Sequence, residues 1–66
     1  MNIKKLKIKL IEKDLTVPDL AEKIGISQAS LYVKFKGERD FSYGEIMAIK
    51  KALDLSVDEF NEIFLS

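Results

Sequence analysis

Two of the side chains most used in catalysis and metal binding are absent from this sequence. It contains no histidine and no cysteine. That removes the commonest general base and metal ligand, the thiolate nucleophile, and any disulfide. The carboxylates are spread along the chain, and the last four (Asp54, Asp58, Glu59 and Glu62) fall at its C-terminal end. No carboxylate pair is spaced for general acid–base work, so no catalytic residue, metal ligand or cofactor is assigned. What remains is the chemistry of hydrogen bonds and charge. Within one dozen-residue stretch the chain places Gln28, Ala29, Tyr32 and Val33, then Lys34, Lys36 and Arg39. A Gln amide pairs bidentately with adenine, small apolar groups meet the thymine methyl, and Lys and Arg neutralise phosphates.

Composition sets the frame for that stretch. Apolar residues make up 47% and charged residues 33% of the 66 positions, a globular balance with room for one domain, residues 1–66. Eleven basic and eleven acidic side chains cancel, which by itself argues against nucleic acid. The distribution argues otherwise. Residues 1–13 hold Lys4, Lys5, Lys7, Lys9 and Lys13 against Glu12, whereas residues 52–66 hold four acids and no base. A dipolar chain of this kind presents a basic face while remaining neutral overall. No apolar run approaches a membrane span, and the basic N-terminus lacks the apolar region of a signal peptide. A soluble cytoplasmic protein with no membrane partner is expected.

The elements that must position these groups read as helices. Ile3, Leu6 and Leu10 mark a first helix over about residues 2–13, with Ile8 and Ile11 off its stripe. Thr16 and Asp19 form a capping-box variant, with Pro18 in the first turn, and Leu20, Ala21 and Ile24 make an inner face that Gly25 ends. Ser27 caps a third helix running to about Lys36, anchored by Leu31 and Phe35 and ended by Gly37. After a loop plugged by Phe41, Ser42 with Glu45 opens a fourth helix lined by Ile46, Ile49 and Leu53. Ser56 with Glu59 opens a fifth, whose expected inner stripe is Val57, Phe60 and Phe64. The fold class is all-α, five short helices joined by tight turns.

Residues 16–37 therefore hold two short helices joined through Gly25-Ile26-Ser27. A turn of that length sets the pair near a right angle and lets the second helix protrude toward a major groove. The run Leu15-Thr16-Val17-Pro18-Asp19-Leu20-Ala21 through Gly25-Ile26-Ser27-Gln28-Ala29-Ser30-Leu31, followed by Phe35-Lys36-Gly37, resembles the lambda-repressor-like helix-turn-helix family of phage Cro and repressor proteins. The resemblance extends over the whole chain, because that family is also built of five helices. It implies a sequence-specific transcriptional regulator that is no enzyme. Residues 27–36 would be its recognition helix and double-stranded DNA, at a palindromic operator, its partner.

A helical wheel agrees. With Leu31 and Phe35 inward, Ala29, Tyr32, Val33 and Lys36 face out and Gln28 lies near the tip. Gln28, Ala29, Tyr32 and Val33 are the expected base contacts. Lys9, Lys34, Lys36 and Arg39, with Ser30, Ser42 and the helix starts at Val17 and Tyr43, are the expected phosphate contacts. Three positions depart from the family pattern. Val17 stands where a Gln is common, and Leu10 and Phe35 replace an Arg–Glu ion pair with an apolar contact. In the family the dimer contact lies around the end of the fifth helix, which implies a weak homodimer through Ile63, Phe64 and Leu65. The neutral charge and apolar outer face also suit an alternative, a helix-turn-helix scaffold turned to protein interaction as an antirepressor or assembly factor.

Overall fold

The computed structural model describes residues 1–65. They form α1 (Ile3–Glu12), α2 (Val17–Ile24), α3 (Gln28–Phe35), α4 (Tyr43–Ala52) and α5 (Val57–Phe64), with no strand among them. Each helix starts on a side-chain cap. Asn2, Thr16, Ser27, Ser42 and Ser56 each accept a hydrogen bond from the backbone N–H three residues on. In α2, α4 and α5 the acid at that third position (Asp19, Glu45, Glu59) accepts the cap's own N–H in return. Two orphan donors are satisfied reciprocally at each box.

The first four helices also end alike. Gly25 stands at φ +77° and Gly37 at φ +81°, and the same left-handed position after α1 and α4 is taken by Asp14 (φ +57°) and Asp54 (φ +50°). At each end two N–H groups reach back to orphan carbonyls. Gly25 donates to Glu22 and Ile26 to Ala21; Asp54 donates to Lys51 and Leu55 to Lys50. This is the Schellman arrangement, and it turns the chain sharply enough to begin a new helix within a few residues.

The core that these turns enclose is wholly apolar among the described residues. Leu6 and Leu10 come from α1, Leu20 and Ala21 from α2, Leu31 and Phe35 from α3, and Ile49 from α4. Phe41, Leu53 and Leu55 come from the connections and Ile63 from α5. The second helix is the hub, packed on both α3 and α4, while α1 pairs with α5. Phe41 plugs the α3–α4 connection as expected, its ring edge-on to Phe35 at 6.3 Å between centroids.

The inner face of α5 differs from the expected stripe. Val57 is 69% exposed, Phe60 and Phe64 are only partly buried, and Ile63 is 2% exposed. Two ties to α5 come from α1 and its cap. The Asn2 N–H donates to the Ile63 carbonyl at 2.6 Å, and Lys9 Nζ donates to Glu59 at 2.5 Å. These two ties seat α5 with its Ile63 side against the core. Ile63, expected at a dimer contact, is thus buried within its own chain.

Two consequences are measurable. Ile63→Val should lower stability by about 0.5–1.5 kcal/mol, with a denaturant midpoint that does not change with protein concentration; a concentration-dependent loss would assign Ile63 to an interface instead. Asp54→Gly should raise the midpoint, worth up to about 1 kcal/mol, by removing a side chain from the left-handed region. An unchanged or lowered midpoint would show the Asp54 conformation to be unstrained.

Candidate nucleic-acid interface

The local sequence explains why α3 stands proud. Ser27 accepts from the Ser30 N–H at 3.1 Å, so the helix starts directly after the Gly25 turn. Leu31 is fully buried and Phe35 nearly so, which fixes the inward side. Gln28, Ala29, Tyr32 and Lys36 are exposed and Val33 half-buried, so the outer strip that the wheel describes is a real surface. It carries no acidic side chain. Arg39 is exposed in the following loop, and Ser42 and Tyr43 are exposed at the start of α4, Tyr43 by 78%. Val17, at the start of α2, packs its side chain against the core. Ser30 is half-buried on the flank of α3. No cluster of carboxylates among the described residues could hold a metal ion, and no described helix is long and apolar enough to cross a membrane.

Two of the expected phosphate partners are otherwise engaged. The side chain of Lys34 is 12% exposed and its ammonium lies 2.5 Å from Glu45, itself 17% exposed. The Phe41 ring flanks the same ammonium at 5.8 Å. Lys9, with a side chain 16% exposed, is held by Glu59 at 2.5 Å and by Glu12 at 3.2 Å. Neither ammonium is a free cation in this fold, and the exposed cations on and just after α3 are Lys36 and Arg39. The reason is tertiary. Lys34 sits on the flank of α3 that meets α4, and Lys9 on the flank of α1 that meets α5.

Sequence reasoning identified Glu45 and Glu59 only as capping-box residues. Each in fact has a second duty, accepting a lysine from another helix through its other oxygen. No local signal announces that second bond. These bonds also set the electrostatics. The Lys9 ammonium, helped by the Ser56 N–H, holds the Glu59 carboxyl down from 4.5 to about 2. Glu45 is lowered in the same direction, first by Lys34 and then by the Ser42 N–H. Asp19 is lowered by the Thr16 N–H and hydroxyl.

Comparison with known proteins returns one family. The model described as the Cro/C1-type HTH DNA-binding domain matches residues 5–64. No curated protein and no solved structure matches the chain.

A carboxyl whose folded pKa is depressed contributes stability that is complete above its unfolded value and is lost as pH falls toward the folded one. For Glu59 that window runs from 4.5 down to about 2. Helicity followed against pH should therefore show acid destabilisation in this range, and Lys9→Met should reduce it by removing the largest cause. An identical acid limb in the variant would show that the Lys9–Glu59 pair does not contribute.

Proposed function

The chain belongs to the family of Cro/C1-type HTH DNA-binding domains, and we propose that it is a sequence-specific transcriptional regulator, acting in the cytoplasm, that docks α3 in the major groove. The observation that carries this reading is the exposed, acid-free outer strip of α3. Gln28 at its tip supplies a bidentate amide, Ala29 and Val33 supply apolar contact for thymine methyls, and Tyr32 supplies a ring and a hydroxyl. Lys36 and Arg39 supply phosphate charge. The backbone N–H groups at Val17 and Tyr43 and the hydroxyls of Ser30 and Ser42 supply uncharged phosphate contacts.

The Cα atoms span 28 × 23 × 20 Å, and a domain with one recognition helix reads a single half-site. We propose that two copies occupy a palindromic operator, and that their contact is weak because it draws on little more than Leu65 and the outer edge of Phe64. Leu65 is 73% exposed, and Phe64 is half-buried with its ring tilted against Phe60 at 4.9 Å between centroids.

Site selection from a random duplex pool, followed by titration at several salt concentrations, tests the proposal. A two-fold symmetric site should emerge, with affinity falling steeply as salt rises. Gln28→Ala should relax base preference at one position per half-site, worth about 1–3 kcal/mol. Lys36→Ala should weaken all duplexes alike and lower the salt slope by about 1. Binding that is flat in salt, with no enriched site, would favour the protein-interaction reading, which has the apolar character of Ala29, Tyr32 and Val33 in its favour.

A further inference from the structure

The Lys34–Glu45 pair joins the flank of α3 to the first turn of α4, the two elements proposed to meet DNA. Glu45 divides its oxygens. Oε1 accepts the Ser42 N–H at 2.8 Å and closes the α4 capping box, while Oε2 takes the Lys34 ammonium. The lysine is confined further by the Phe41 ring, which is itself buried and edge-on to Phe35. We propose that Lys34 is a positioning residue for DNA binding and not a phosphate contact, acting through Glu45, whose carboxylate it neutralises beside the DNA-facing start of α4. This rests on the DNA-binding reading above.

Ser42 and Tyr43 are exposed, and the N–H groups at the start of α4 carry the positive end of its dipole, which suits an incoming phosphate. Glu45 lies in that same turn, and an unneutralised carboxylate there opposes the phosphate that the turn attracts. Lys34 removes that opposition from within the protein. The direction of Lys34 agrees. Lys34 is one residue from Val33 and two from Lys36, yet it leaves the outer strip for the α4 side. A lysine whose side chain is 12% exposed and whose ammonium is already on a carboxylate would have to break that pair to reach DNA.

A phosphate contact and a neutralising positioner predict opposite behaviour when Glu45 is also changed. Lys34→Met alone should weaken DNA binding about tenfold, because it strands the Glu45 charge. In Lys34→Met/Glu45→Gln the amide oxygen still caps Ser42 and no charge is stranded. Affinity should return to within about twofold of the parent with an unchanged salt slope. If Lys34 touches phosphate, the double variant stays weak and its slope falls by about 1. That result overturns the proposal. Should Lys34→Met fail to fold, the double variant decides alone by the same two readouts. The parent chain is titrated alongside. If it binds no duplex, the DNA-binding reading falls and this proposal with it; if it binds and the double variant does not recover, only the positioning role falls.

Discussion

Each helix in this chain is eight to ten residues long, shorter than the dozen or more that an isolated helix needs to persist in water. Brevity of the helices is the constraint on which the rest of the structure depends. A short helix has nearly as many orphan backbone groups as paired ones, so both ends must be closed. The chain meets this with an Asn, Ser or Thr cap at all five starts and a left-handed turn after the first four helices. Stability then comes from burying one face of each helix against its neighbours, which α2 does on two sides at once.

Closed ends have a functional consequence. Because Gly25 turns the chain and Ser27 caps the next helix two residues later, the α2–α3 connection has little slack. The direction of α3 is set by Leu31 and Phe35 entering the core. The outer strip is what those anchors leave over. That strip is free of acid within a chain whose charges sum to zero, and the loop that follows it carries exposed Arg39 between exposed Glu38 and Asp40.

The charged pairs are placed to serve that arrangement. The Leu10 and Phe35 positions are apolar and buried, and no charge is buried at the centre of the domain. The ion pairs lie at its edge, where Glu45 and Glu59 extend their capping duty to Lys34 and Lys9. Such peripheral pairs incur a smaller desolvation penalty than a core ion pair. Each also joins two helices that the sequence separates, Lys34 to Glu45 across the α3–α4 loop and Lys9 to Glu59 across most of the chain.

Much of this was legible in the residues themselves, because the signals are local. Caps, boxes and terminal glycines act over three or four positions, so all five helices, the Phe41 plug and the inward pair Leu31 and Phe35 follow from spacing. The left-handed ends at Asp14 and Asp54 were not, since neither residue announces that conformation as glycine does. The matters left to the tertiary structure all turn on which flank of a helix meets which neighbour. A wheel places Lys34 off the core stripe but does not show that α4 brings Glu45 to it. It places Lys9 on the surface of α1 but not against Glu59, and on α5 it favours Val57 where the packed helix buries Ile63. Periodicity reports how far a side chain lies from its helix's own apolar face. The rotation of that face toward another helix is decided by contacts tens of residues away, here the bonds from Asn2 to Ile63 and from Lys9 to Glu59.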